Sequence, residues 1–276
     1  MSNKHTIESA IWYEESSHNE FQPDACFCHG YDVANELIPN ASWFDYLYLL
    51  ISGNRPSESQ SRLLEKLAVL LANPGIRDLS VQAAMNAGVG NAPEASVLVA
   101  ALAGGSGQYL GAKEIAYCMS YFDKLELKPF CERVENSSKD SDIWPDLDHL
   151  PGFDEYSTQP SKFVSQCLVR LAAYSDGSCL KWLVQNRLQI EQYFGQPIAL
   201  STVIAAVFRD LALSGEQAQY LFLILRLPGA AAHAMEQKNL GWQKFPFFAD
   251  TVKYEGESEP LELPDVDALI EGYVND

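Results

Sequence analysis

The sequence predicts an all-α protein with a minor β element at the N-terminus. Three observations support this. Apolar residues recur at helical spacing through most of the chain, as in SWFDYLYLLISG, GAKEIAYCMSYFDKL and LSTVIAAVFRDLAL. Helical stretches open on capping residues. Ser57 with Gln60, and Ser214 with Gln217, have the Ser-x-x-Gln spacing that satisfies two otherwise free backbone N–H groups. Strand evidence is confined to IESAIWYEES and CFCHGYDV, which can pair as a small hairpin.

Taken in order, a helix begins at Ser42 and stops at Gly53, and a second runs from Ser57 to the Asn-Pro-Gly at 73–75. DLSVQAAMNAGVG and PEASVLVAALAGG are short, rich in small residues and expected to pack tightly. AGGSG at 103–107 is glycine-rich, but no Gly-Lys-Ser/Thr follows and no strand precedes it. It reads as a tight bend between helices. From Glu135 to Pro160 the chain is acidic and punctuated by proline and glycine, which reads as a long loop with at most a short helical turn. Helices resume from SKFVSQCLVRLAAYS to GEQAQYLFLILRL. Pro228 and Gly229 are expected to break the last of them, and the alanines of RLPGAAAHAMEQ to let another backbone come close. The polar tail after Phe248 is expected on a surface, against solvent or a partner subunit.

The chain has 276 residues, 47% of them apolar, enough for a sizeable core. Its 19 basic and 37 acidic residues give a net charge of −18, which disfavours nucleic acid and anionic membrane as partners. A local basic pocket for an anionic ligand stays compatible with that total. No apolar run has the length of a membrane span. The start shows no signal-like apolar region, so the six cysteines are expected to be reduced and the protein cytoplasmic. Cys26, Cys28 and His29 offer three metal-ligand types. However, Cys-x-Cys lacks the usual pair spacing and no second pair follows, so packed thiols are expected and no metal site. No nucleophile elbow and no His-Glu-x-x-His is present. Asp154 and Glu155, directly after LPGF, are candidate acid–base carboxylates.

The order of five segments resembles the citrate synthase superfamily, in the short form similar to citryl-CoA lyase and the C-terminal module of ATP citrate lyase. HGYDVANELIPNASWFDYLYLLISGNRPSESQ resembles the family's Gly-Tyr-Asp, first large helix and Gly-x-x-Pro loop. LAGGSGQYLGAKEIA resembles the segment built on His-Gly-Gly-Ala, and HLPGFDEYS the Pro-Gly-Phe-Gly-His loop. IALSTVIAAVFRDLAL resembles the Asn-Val-Asp-Gly helix, and RLPGAAAHAMEQKNLGWQKFPFF the closing segment. The similarity covers residues 8–250.

The resemblance implies an all-helical fold with a large domain (1–112 and 222–276) and a small one (113–221). It implies a homodimer, with a hetero-partner as an alternative. It also implies carbon–carbon bond chemistry between an acyl-CoA cosubstrate and a keto or tricarboxylic acid, without a tightly bound cofactor. Carried over by position, the first catalytic histidine reads Tyr109 (Leu110 if the register slips by one), the second reads Glu155, and the aspartate base reads Ser201. Arg226 matches an arginine that grips a substrate carboxylate, with His233 nearby, and Pro151 and Gly152 fall on the CoA-side loop. Two functions follow. One is an enzyme with altered acid–base residues, Asp154 or Glu155 as base and Tyr109 as donor. The other is a non-catalytic homologue that binds ligand or serves as a regulatory or structural subunit.

Overall fold

The computed structural model describes residues 9–16, 22–137 and 150–244. The expected tail after Phe248 and His149 lie outside them. At the N-terminus β1 (Trp12–Ser16) pairs antiparallel with β2 (Pro23–Cys28), Trp12 opposite Cys28, as the hairpin expectation required. A two-residue β3 (Tyr31–Asp32) adds to the other edge of β2 through a turn in which His29 and Gly30 take positive φ. Cys26 and Cys28 lie in β2 as free thiols, Cys28 fully buried. Among the described residues, no group of His, Cys, Asp or Glu is arranged to hold a metal ion.

Asp32 caps a π-helical turn, Val33–Leu37, that runs into the single turn α1 (Ile38–Asn40). Helices α2 (Trp43–Ser52) and α3 (Glu58–Ala72) each open on a complete capping box, Ser42 with Asp45 and Ser57 with Gln60. Asp78 caps α4 (Leu79–Val89), and α5 (Glu94–Gly105) ends at the glycine-rich bend. Next come α6 (Ala112–Ser120) and α7 (Leu127–Ser137). The sequence reading did not anticipate α7, which contains Pro129. That proline falls in the first turn, where the missing N–H has no helical partner to lose. Glu135 to Ser137, expected in a loop, lie in this helix, and residues 138–149 of that expected loop lie outside the described residues. Helices α8 (Lys162–Ala172), α9 (Cys179–Phe194), α10 (Leu200–Asp210) and α11 (Gly215–Leu240) complete the fold.

Helix α10 is the hub. Its residues from Thr202 to Phe208 are all buried, and it packs against α3, α6, α8 and α9. A helix apolar on every side requires neighbours on every side. A second, alanine-rich cluster (Ala84, Val97, Ala101, Ala230 and Ala234) joins α4, α5 and α11.

Pro228 and Gly229 do not end the helix: α11 runs unbroken for 26 residues with Pro228 inside it. Pro228 faces solvent while Leu225, Arg226, Gly229 and Ala230 are buried. The carbonyl of Ile224, deprived of its helical donor, therefore lies on the solvent side, and packing of the opposite face holds the axis. Because only the exposed face carries the proline, Pro228→Ala is expected to raise stability by about 1–3 kcal/mol, read from urea denaturation. A loss on that substitution would mean that the ring itself packs. The small residues behave as expected. A Cβ on Gly88 would lie 2.7 Å from Ala234 O, so α4 and α11 touch backbone to backbone. No helix among the described residues is long and apolar enough to cross a membrane.

Candidate functional site

Three chain segments converge on one carboxylate, that of Glu114 in the first turn of α6, which is wholly buried. Its Oε2 accepts the Leu110 N–H at 2.5 Å. Its Oε1 accepts the Gly152 N–H at 3.0 Å and the Ser201 hydroxyl at 2.6 Å. The first donor belongs to the bend between α5 and α6, the second to the loop after Leu150, and the third to the first turn of α10. Neutral donors surround this carboxylate, and the N-terminal end of α6 adds a favourable dipole.

The bend is tight. A Cβ on Gly111 would fall 2.7 Å from Gly107 N and 2.9 Å from Gly105 O, and Leu110 takes φ +54°. This geometry presents Tyr109, whose hydroxyl donates to Glu155 Oε1 at 2.7 Å and lies 3.1 Å from the Tyr156 hydroxyl. Burial first, then Tyr156 and the Glu155 charge, push the Tyr109 phenol well above its ordinary range. It stays protonated and acts as a donor.

The 150–156 loop is anchored at its base. Gly152 has φ +88°, and a Cβ there would meet Thr202 Oγ1 and lie 2.9 Å from Cys118 Sγ. Gly152 O accepts from Ala199 N at 2.8 Å and from the Thr202 hydroxyl at 2.7 Å, and Pro151 O accepts from the Tyr121 hydroxyl at 3.2 Å. Pro151 and Gly152, expected on the CoA side, are therefore buried with these backbone groups bound internally. Phe153 bridges Ile198 and packs on Phe194 at 4.9 Å. Beneath the site burial, then the Glu114 charge, raise the Cys118 thiol, which stays neutral.

Tyr109 and Glu155, far apart in sequence, thus meet directly, and Ser201 shares the Glu114 carboxylate with Leu110 and Gly152 of the same two loops. Asp154 is next to them but turned into its own loop, where Oδ1 accepts the Tyr156 N–H at 3.1 Å. Arg226 is buried, 7% exposed, and ion-paired with Asp78, with its guanidinium over the Phe222 ring at 4.4 Å. That pair adjoins the Tyr109 bend: a Cβ on Gly105 would stand 3.2 Å from Ser80 Cβ and 3.3 Å from Leu223 Cδ2. His233 sits at the seam of α3 and α11, 3.0 Å from Asn73 Oδ1 and 3.5 Å from Glu236 Oε2. A cavity of about 510 Å³ lies elsewhere, lined by Tyr31, Tyr46, Leu49, Arg55, Ser61 and Arg62 among others, and includes none of the predicted site residues.

Sequence reasoning missed Glu114 and Asp78. Glu114 shares a helical face with Cys118, four residues on, and Tyr121, seven on. That alignment of an acid with two buried residues was the available signal. Asp78 was visible as a helix cap, but its ion pair spans 148 residues and leaves no local trace.

This all-α arrangement with its small N-terminal sheet is the citrate synthase-like fold. Citryl-CoA lyase from Hydrogenobacter thermophilus superposes with a TM-score of 0.71 at 21% identity, over 96% of this chain and 99% of that one. ATP citrate lyase from Methanothrix soehngenii, in complex with citrate and coenzyme A, superposes at 0.70 with 19% identity, over 96% of this chain and 44% of that one. This chain therefore spans less than half the length of that protein. Citrate synthase from Thermoplasma acidophilum, in a ternary complex with carboxymethyl coenzyme A and oxaloacetate, gives 0.56 and 16% identity, over 83% of this chain and 61% of that one. No protein-family model and no curated protein sequence matches the chain.

Proposed function

We propose that this chain binds a CoA thioester and a keto or tricarboxylic acid, with the acid–base set of citrate synthase chemistry replaced. The observation that carries this reading is the Tyr109–Glu155 hydrogen bond, beside a Glu114 carboxylate that binds Ser201 together with Leu110 and Gly152, backbone groups of the same two loops. It occurs in a chain that shares its fold with citryl-CoA lyase along nearly its whole length. The reading takes residues 1–112 with 222–276 as a large unit and 113–221 as a small one. Tyr109 and Arg226 then come from the first, and Glu114, Glu155 and Ser201 from the second. It includes a homodimer and needs no tightly bound cofactor.

Making an enolate from a thioester requires a base at the α-carbon and a donor at the oxygen. Ser201 supplies no base, because its hydroxyl proton is committed to Glu114. The Glu155 carboxylate would repel an oxyanion rather than stabilise it. These groups favour a ligand-binding homologue, regulatory or structural in role, over one that makes or breaks carbon–carbon bonds at speed. One contact supports a second reading. Tyr109 and Glu155 put a donor and a carboxylate base within a single hydrogen bond, 2.7 Å, as an enolising enzyme with altered residues would need.

Titration calorimetry with CoA, acetyl-CoA, oxaloacetate and citrate, together with deuterium exchange at the acetyl-CoA methyl, separates the two. Binding heat with exchange no faster than in buffer is the expected result. Exchange above buffer that falls in Glu155→Gln would establish the second reading. An absence of heat from all four ligands would overturn both.

A further inference from the structure

Arg226 is buried and engaged by a carboxylate from its own chain. The engagement is one-sided. Asp78 Oδ2 accepts from Arg226 Nη2, while Asp78 Oδ1 is committed to the Ser80 N–H at 3.0 Å and to the Ser80 hydroxyl. Arg226 Nε is buried and without a hydrogen-bond partner. A guanidinium fork reaches its full complement when both oxygens of one carboxylate face two of its N–H groups. Asp78 cannot give both, because capping α4 holds its other oxygen. The site is a fork with one tine filled, and Gly105, at the start of the bend that carries Tyr109, packs directly on Ser80.

We propose that Asp78 is a built-in occupant of Arg226, a specificity-determining carboxylate that a small carboxylic acid must displace to be held. A ligand able to offer both oxygens of one carboxylate to Nε and Nη2 gains what Asp78 does not supply. An uncharged or singly hydrogen-bonding ligand gains nothing by the exchange. Asp78 stays on Ser80 after displacement, so α4 keeps its cap. The inference rests on the proposed reading of this chain as a binder of a keto or tricarboxylic acid, with Arg226 as its carboxylate holder, and adds the residue that sets the threshold.

Asp78→Asn tests it, since asparagine caps a helix as well as aspartate does but carries no charge. Without ligand the variant is expected to melt below the parent, because Arg226 loses its counter-charge. Citrate should then raise its melting temperature by more than it raises the parent's. By calorimetry its citrate Kd should fall at least about tenfold below the parent's. The gain should vanish in the double variant with Arg226→Gln. Equal citrate affinity in parent and variant, or a gain that persists without Arg226, overturns the proposal. If Asp78→Asn does not fold, Asp78→Ser, which keeps a capping oxygen, takes its place. Failure of both to fold even in saturating citrate also counts against it, because a displacing carboxylate would restore the pair. CoA titrated separately into the parent distinguishes this idea from the wider one. CoA binding without a citrate gain sinks only the role of Asp78, and a citrate gain without CoA binding sinks only the CoA reading.

Discussion

Replacing Glu114 by alanine is expected to cost about 3–5 kcal/mol, a large part of the stability of a typical domain, read as a lower urea midpoint with an unchanged slope. The magnitude follows from what would be left behind. Gly152 N–H and the Ser201 hydroxyl would lose an acceptor in the buried interior, and Leu110 N–H would lose one in the part-buried bend. Each unsatisfied buried donor costs on the order of 1–3 kcal/mol, offset in part because a charged carboxylate no longer has to be buried. Glutamine is the informative intermediate. It fills the same space, but its single carbonyl serves one side only, and its amide sets a donor against a donor on the other. Ser201→Ala removes one donor and leaves the acceptor, so about 1 kcal/mol is expected. The order of cost is Glu114→Ala, then Glu114→Gln, then Ser201→Ala. An alanine variant within about 1 kcal/mol of the parent would show that the three segments are held together by something else.

The same carboxylate marks where sequence reading stopped. The helices were legible because their signals are local. Ser42, Ser57 and Ser214 each cap the helix expected of them, and the alanine-rich face of α11 meets Gly88 and the other small residues of α4 and α5. The hairpin was legible for the same reason, since β1 and β2 are near neighbours in sequence. One local signal misled. Pro228 reads as a helix end, yet it stands on a solvent face, where the lost hydrogen bond is cheap to replace. For the site, the resemblance named positions that do meet: Tyr109 with Glu155, and Ser201 one carboxylate away. It was silent on their partners. Neither Glu114 nor Asp78 was singled out from the sequence. Their roles are set by loops that fold back from distant parts of the chain, which no periodicity records.

Gly229→Ala is expected to destabilise the protein by about 3 kcal/mol, opposite in sign to the usual result of that substitution inside a helix. A methyl there would run into the carbonyl oxygen of Ala72 and stand 2.8 Å from Asn73 Cα and 3.1 Å from Ala72 C. These are backbone atoms, so no side chain can rotate away. The end of α3 cannot retreat either. Leu67 and Leu71 are packed in the core, and Asn73 is tied to His233 of α11 itself at 3.0 Å. Helix α11 would have to move instead, and it carries Arg226 one turn before and Ala230 and Ala234 after, all buried. Gly215 in the same helix provides the contrast. A Cβ there would find only Ala116 Cβ at 3.5 Å, ordinary contact, so Gly215→Ala should be neutral or stabilising. Two glycines of one helix moving stability in opposite directions would locate the constraint in the seam with α3. If Gly229→Ala instead gains stability as Gly215→Ala does, the close approach of α11 to the end of α3 is not there.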